Sequence, residues 1–234
     1  MKSTVAQIKE RFDNDVERFS NLDTGQSSTV DATVSLDLVT NAAAAVNPTA
    51  QHVLDIGCGA GNYTLRLLQR LPNVNVILID LSYPMLMRAL QRIGNATSGT
   101  TDAIQGDIRE VELGKDRFDI IMAAAVFHHL REVEEWEQVF TKCYASLKPG
   151  GSLWISDLIE HSMPGVQSIM WNRYGNYLSS LKDSQYRDYV FSYIEQEDSP
   201  RPLSFQLDLL RRVGFRQIDL LHKNSVFAAF GAVK

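Results

Sequence analysis

Three glycines at alternate positions follow a short apolar run that carries a carboxylate: Val53-Leu54-Asp55-Ile56-Gly57-Cys58-Gly59-Ala60-Gly61-Asn62. Residues of these types at this spacing let main-chain amides meet a charged small molecule. Gly57, Gly59 and Gly61 can take positive φ and carry no Cβ, so a strand can turn sharply into a helix near Asn62 while a ligand approaches the backbone. The carboxylate of Asp55, near the strand's end, suits a cationic ligand. A dinucleotide loop needs G-x-G-x-x-G to seat pyrophosphate on the helix N-terminus. Here the third glycine comes one residue early, Asn62 stands where that pattern wants glycine, and Asp55 would repel a diphosphate. A tight turn with no ligand is the competing reading, against which three glycines in one turn weaken a fold unless something must come close.

The elements that must position this loop can be read along the chain. Val74 to Asp80 is a second buried strand ending in an acid, where doubly wound folds place a carboxylate on ribose hydroxyls. Leu81-Ser82-Tyr83-Pro84-Met85 starts a helix, with Ser82 as cap and Pro84 near its first turn. Leu81 and Met85 are placed either to pack on a flat ligand or to fill core. Thr101 to Ile108 gives a third strand and the loop Gly106-Asp107-Ile108, and Phe118 to Leu130 gives a fourth strand running into small alanines and the pair His128-His129. Apolar residues at 133, 136, 140, 143 and 147 predict a helix over 133–147 with glutamates in its first turn. Lys148-Pro149-Gly150-Gly151 ends it and launches Ser152 to Asp157 as a fifth strand. Leu203 to Val213 reads as an amphipathic helix closed by Gly214. Two last strands, about 217–222 and 225–233, meet at a turn expected at Lys223-Asn224.

The pattern D-x-G-x-G-x-G, followed in order by these strands, resembles the class I S-adenosylmethionine-dependent methyltransferases. The resemblance implies an α/β, Rossmann-like, seven-stranded and mostly parallel sheet of order 3-2-1-4-5-7-6, with an antiparallel C-terminal strand and helices on both faces. It implies S-adenosyl-L-methionine as methyl donor, S-adenosylhomocysteine as product, and a small-molecule acceptor. The cofactor contacts it suggests are Asp55, Gly57, Cys58, Gly59, Gly61, Asp80, Leu81, Met85, Gly106, Asp107, Ile108, Ala123 and Ala124, with Asp107 accepting the adenine amino group. Within the family, Gly106-Asp107-Ile108-Arg109 and the closing hairpin resemble carboxy-S-adenosylmethionine synthases of the transfer RNA wobble-uridine pathway. Those enzymes have Ser-Leu-Gly where this chain has Gly-Ala-Gly, and a lid arginine where a rough alignment places Phe191, with Arg187 one turn away. Ordinary methyl transfer is the preferred reading. A nicotinamide-dependent oxidoreductase is disfavoured by the glycine spacing, and a non-catalytic cofactor-binding protein stays open.

If the acceptor loses a proton, His129 or His128 at the mouth of the fourth strand is the best-placed general base, against a plain loop hydrogen bond. Of the two, His129 is the catalytic candidate. Adjacent histidines without further ligands do not make a metal site, and no metal is expected. Asp119 reads as a structural strand-edge residue.

Two segments lie outside this frame. Residues 1–46 offer helices over about 5–19 and from Ser28 or Thr29 into the alanines at 42–45, joined by a polar loop in which Gln26 is the expected cofactor contact. Residues 159–202 are rich in aromatics. Positions 170, 174, 177 and 181 suit one helical face, read either as packing or as a lid lining with Trp171, Tyr174, Tyr177 and Arg187 as substrate contacts. The expected organisation is one domain over 1–234, divided into cap helices to residue 46, a cofactor core at 47–158, a lid at 159–202, and a last helix with closing hairpin at 203–234.

The 234 residues, 44% hydrophobic and 22% charged, suffice for one sizeable core. Cys58 and Cys143 make neither a disulfide framework nor a zinc motif. No apolar stretch approaches the roughly 20 residues of a membrane helix, and the start of the chain lacks a signal-like apolar run, so the expected location is the cytoplasm. A net charge of −5 argues against nonspecific nucleic-acid binding. Arg201, Arg211, Arg212 and Arg216 read as a solvated face. Homodimerisation stays open.

Overall fold

The computed structural model describes residues 2–21 and 25–234; Leu22, Asp23 and Thr24 of the expected polar loop lie outside the described residues. Seven strands form one sheet: β1 (His52–Ile56), β2 (Asn75–Asp80), β3 (Thr101–Gln105), β4 (Phe118–Ala124), β5 (Leu147–Leu158), β6 (Gln217–Asn224) and β7 (Phe227–Val233). Their order is β3-β2-β1-β4-β5-β7-β6. Neighbours from β3 through β5 are parallel, while β7 runs antiparallel to both β5 and β6. Among the described residues the α-helices are α1 (Val5–Asp13), α2 (Val16–Ser20), α3 (Ala32–Val46), α4 (Asn62–Leu68), α5 (Tyr83–Gly94), α6 (Val133–Ser146), α7 (Pro164–Leu181), α8 (Ser184–Glu197) and α9 (Leu203–Val213).

Strand pleating sorts the apolar side chains into two layers. Leu54, Ile56, Ile121, Leu153, Ile155 and Phe230 face one core, with Trp136 and Phe140 of α6 and Leu209 and Leu210 of α9. Val53, Ile120, Met122, Trp154 and Ala229 face the other, with Leu36 and Val39 of α3, Leu67 of α4 and Ala89 of α5. Asp55 shares the second face with Val53. Its carboxylate therefore points toward α4, where Thr64 Oγ1 donates to it at 2.6 Å. The helix starts follow capping rules. Ser82 accepts from Met85 N–H at 3.3 Å with proline in the first turn of α5, and Glu132 with Glu135 forms a capping box on α6.

Four element boundaries differ from expectation. The single helix over 5–19 is broken at Asn14-Asp15, two weak helix formers, and the break brings the rings of Phe12 and Phe19 to 5.7 Å. Helix α3 starts at Ala32 rather than Ser28 or Thr29, because Asp31 is left-handed at φ 56° and its carboxylate is held by His222 at 2.9 Å and Asn224 at 2.8 Å. Those same bonds keep Asn224 paired with Phe227, so the hairpin turns at Ser225-Val226 and not at Lys223-Asn224. Strand β5 begins at Leu147 and absorbs Lys148 to Gly151 as an irregularity in its pairing with β4. The aromatic segment is two helices, α7 and α8, closed on each other by Tyr174, Leu178, Val190 and Ile194. Tyr174 and Tyr177 donate to the carbonyls of Ser28 and Ser27 at 2.9 and 2.8 Å. Among the described residues, no helix is long and apolar enough to cross a membrane.

Candidate functional site

A large cavity opens at the carboxyl ends of β1, β2, β4 and β5, the crevice where doubly wound sheets bind ligands. Its floor is the glycine turn, in which the three glycines do different work. A Cβ on Gly57 (φ 63°) would meet Val126 Cγ2 at 2.3 Å, and one on Gly61 (φ 85°) would meet Ile93 Cδ1 at 2.7 Å. Gly59 (φ 51°) has nothing within 4 Å of a built Cβ, and it lines the cavity. The turn is tied by Cys58 N–H to Ile79 C=O at 3.0 Å and Gly61 N–H to Cys58 C=O at 2.8 Å. Gly61 thus serves helix packing and, with Ala123, is not brought to the cavity. Ala123 lies inside β4, paired with Ile56 and Ile155 and buried in the core; Ala124 and Ala125 reach the cavity wall instead.

Asp80 ends β2 with its carboxylate on two main-chain donors, Gly59 N–H to Oδ2 and Ser82 N–H to Oδ1, each at 2.8 Å. Burial nevertheless pushes its pKa up, the backbone donors offsetting only part of that effect. Asp55 is 2% exposed, and burial carries its pKa up to about 7 against the opposing bond from Thr64. The carboxyl is therefore poised to ionise when a cation arrives. Asp107 is clamped by Arg109, whose main-chain N–H and Nε each donate at 2.9 Å. Burial raises its pKa, but the guanidinium outweighs it and leaves the carboxyl below its usual range. Cys58, Leu81, Met85, Gly106, Asp107, Ile108 and Gln26 all line the same cavity.

The opposite wall is made by α1, α2 and α8. Phe12, Phe19, Tyr186, Tyr189, Val190, Tyr193 and Ile194 line it. The α2 end is fastened to the glycine turn through Asn62, which donates to Phe19 C=O at 2.8 Å and accepts from Arg92 at 2.9 Å. Arg11 of α1 grips Glu197 of α8 through Nε at 3.0 Å and Nη2 at 2.8 Å, and donates to Tyr193 Oη at 2.8 Å. Of the four expected lid contacts, only Tyr174 reaches the cavity. Trp171 stacks on Phe191 with centroids 4.6 Å apart, Tyr177 is committed to Ser27, and Arg187 pairs with Asp188 at 2.8 Å outside the lining. The aromatic run announced a lid, but which face turned inward depended on how α7 and α8 fold on each other.

Both histidines reach the cavity at the roof of β4 and β5. His128 Nδ1 is hydrogen-bonded to Asp157 Oδ1 at the end of β5, and its main-chain N–H donates to Asp157 Oδ2 at 3.2 Å. Asp198, just after α8, faces His129 Nδ1 at 3.2 Å and His128 Nε2 at 3.6 Å. Burial works against charge on His128, but Asp157 and Asp198 outweigh it and carry its pKa up to about 9. Burial also raises Asp198, yet the facing histidines hold it below the normal carboxylate range. Neither Asp157 nor Asp198 is marked by the sequence as a site residue. Asp157 was legible only as the last residue of a strand, and Asp198 carried no signal beyond an acid preceding Ser199-Pro200.

Comparison with known proteins agrees with this geometry. The methyltransferase domain family matches residues 53–151. A malonyl-[acyl-carrier protein] O-methyltransferase of Calditerrivibrio nitroreducens is 30% identical over 173 residues, covering 73% of this chain and 64% of that protein. A carboxy-S-adenosyl-L-methionine synthase of Chromohalobacter salexigens is 30% identical over 193 residues, covering 78% of this chain and 68% of that protein. An O-methyltransferase family protein from Burkholderia thailandensis shares the fold with a TM-score of 0.67 at 14% identity, over 98% of this chain and 61% of that one. The chain thus spans just under two thirds of the length of the first of these relatives.

Proposed function

This chain belongs to the class I S-adenosylmethionine-dependent methyltransferases, and from that premise we propose that it methylates a small organic acceptor carrying a hydroxyl or an acidic carbon. S-adenosylmethionine supplies an electrophilic methyl on a sulfonium centre. The residues fit such a donor: Gly59 leaves its Cβ position open to the cavity, Asp80 is aligned there by two amides, and Asp55 offers a buried carboxylate near the turn. Asp80 would hold the ribose hydroxyls. Asp55 would answer the ligand's ammonium. Met85, Leu81 and Ile108 would cover the adenine, whose amino group would donate to Asp107, an acceptor it would share with Arg109.

In-line displacement asks the protein mainly to align two reactants and keep water out. The closed wall of α1, α2 and α8 supports this, with its aromatic lining suited to a flat acceptor. His129, its ring edge-on to Phe12 at 6.0 Å, would take the acceptor's proton, oriented by Asp198. The observation that carries the reading is that the glycine turn, Asp80 and the histidine pair share one chamber. Carboxylated donor chemistry is the weaker reading, since Phe191 stacks on Trp171 and Arg187 stays with Asp188, leaving no cation at the expected lid position.

Calorimetric titration of the purified chain with S-adenosylmethionine, S-adenosylhomocysteine and NAD tests the premise. Micromolar binding of the first two and none of NAD is expected; NAD binding, or no binding at all, would refute it.

A further inference from the structure

The roof of the cavity contains a cluster with more than the one base and its orienting carboxylate that the methyl-transfer reading uses. Asp198, 3% exposed, has an oxygen, Oδ1, with no hydrogen-bond partner among the described residues, although two imidazole nitrogens face it. Both ring nitrogens of His129 are likewise buried and without a partner. His128, His129 and Asp198 each offer a ligand atom, and these atoms all lie within 4.8 Å of one another. Asp198 Oδ1 is 3.2 Å from His129 Nδ1 and 3.6 Å from His128 Nε2. A four-coordinate ion with ligands about 2.1 Å away sets its ligand atoms about 3.4 Å apart. Those two separations bracket the ligand spacing of a shared ion.

We propose that His128 Nε2, His129 Nδ1 and Asp198 Oδ1 form a binding site for a divalent transition-metal ion of the zinc or iron(II) class. Two imidazoles with one carboxylate are borderline donors, which select such ions over magnesium or calcium. Asp157 completes the arrangement from behind. By accepting from Nδ1 it leaves Nε2 of His128 as the nitrogen directed at Asp198, the carboxylate–histidine–metal pattern that fixes tautomer and ring orientation.

The charges are also suited to a dication. Arg11 and Glu197 neutralise each other through their paired hydrogen bonds. Asp157 and Asp198 then face two histidines, and a dication that displaces the His128 proton balances the two carboxylates. Three protein ligands leave a coordination position toward the cavity, where an oxygen of the acceptor would complete the set. With an ion on Nδ1 the neutral ring of His129 carries its proton on Nε2, so in the metal-loaded chain the ion, by lowering the pKa of a bound acceptor oxygen, would take the place of His129 as base; the site stands on its own geometry.

The test uses the full chain, dialysed against a chelator and titrated with cobalt(II) chloride, with zinc chloride as competitor. S-adenosylhomocysteine is titrated into the same samples, so that a failed cofactor reading is seen separately from a failed metal site. Expected are the d–d absorption of low-coordinate cobalt, saturation at one equivalent, displacement by zinc, and about tenfold or greater loss of affinity in Asp198→Asn, His129→Gln and Asp157→Asn. A spectrum that stays that of aqueous cobalt, or binding indifferent to all three substitutions, would overturn the proposal. Should the variants fail to fold, a zinc-soaked crystal of the unaltered chain decides. An anomalous peak among the three side chains supports the site; a peak only elsewhere, or none, refutes it.

Discussion

Replacing Gly59 and Gly61 separately by alanine should divide cofactor binding from stability. Both residues are left-handed, at φ 51° and 85°, so each substitution carries the backbone cost of an L-residue there, about 1–2 kcal/mol. The two differ in what the new methyl meets. At Gly59 nothing lies within 4 Å, so the folded state loses only the backbone term. At about 2–4 °C per kcal/mol for a chain of this size, the midpoint should fall by about 2–8 °C. At Gly61 the methyl lands 2.7 Å from Ile93 Cδ1 and 3.3 Å from Ala89 Cβ on α5. Overpacking of that kind adds about 1–3 kcal/mol, for a total of about 2–5 kcal/mol. Affinity should run the other way. The Gly59 methyl intrudes on the cavity and should weaken S-adenosylhomocysteine by about tenfold or more, whereas folded Gly61→Ala should bind close to normally. Thermal unfolding and calorimetric titration of both variants provide the readings. Unaltered affinity in folded Gly59→Ala would show that the open face of the turn does not hold the ligand.

Asp80→Ala should strand the N–H groups of Gly59 and Ser82 as well as the ribose, weakening S-adenosylhomocysteine by about 1–3 kcal/mol in calorimetry. Once an acceptor is found, His129→Gln should lower kcat by about 10²–10⁴ with cofactor affinity preserved, and unchanged turnover would remove His129 as base. Asp55 has its folded pKa raised to about 7 from 3.8, so its contribution to stability is complete at low pH and is lost as pH rises through 7. Asp55→Asn should therefore flatten denaturant midpoints of the ligand-free chain over that window, by up to about 4 kcal/mol. For His128, with its pKa raised from 6.5 to about 9, stability is fully present below 6.5 and lost as pH rises through 9. Asp157→Asn should diminish that alkaline loss in the same midpoints.

What the sequence revealed well was local. The strand-to-helix turn, the acid closing β2, the cap at Ser82 and the stop at Gly214 each follow from a few adjacent residues whose conformational limits leave little choice. Periodicity marked the strands but not which of two adjacent alanines faces the crevice. Ala123 and Ala124 are alike in sequence, and only the register of β4 between β1 and β5 turns the first into the core. Which residues of the aromatic segment face the cavity was illegible for the same reason at longer range. Trp171, Tyr177 and Arg187 were read from composition, but Phe191 claims Trp171, Ser27 claims Tyr177, and Asp188 claims Arg187. Phe191 meets Trp171 only after α8 folds against α7, and Ser27 meets Tyr177 only where the segment at 27–28 reaches α7; Asp188 is the sequence neighbour of Arg187, and the pair lies outside the cavity lining.

The histidine pair shows how such long-range placement produces chemistry. An open doubly wound sheet offers a crevice at its strand ends but leaves it exposed to water. Here α1 crosses that opening and joins α8 through Arg11, Glu197 and Tyr193, and the same junction carries Asp198 over the histidines. Opening the wall for ligand exchange would therefore also draw Asp198 from His128 and His129, coupling access to the assembly of the polar roof. Substituting Arg11 tests that coupling without touching the cavity floor. Arg11→Met keeps the aliphatic stem but removes the clasp, leaving Glu197, 7% exposed, as an unpaired buried acid. Faster exchange of S-adenosylhomocysteine together with lower turnover is the expected outcome in stopped-flow and steady-state assays. Faster exchange with undiminished turnover would mean that the roof assembles independently of the wall.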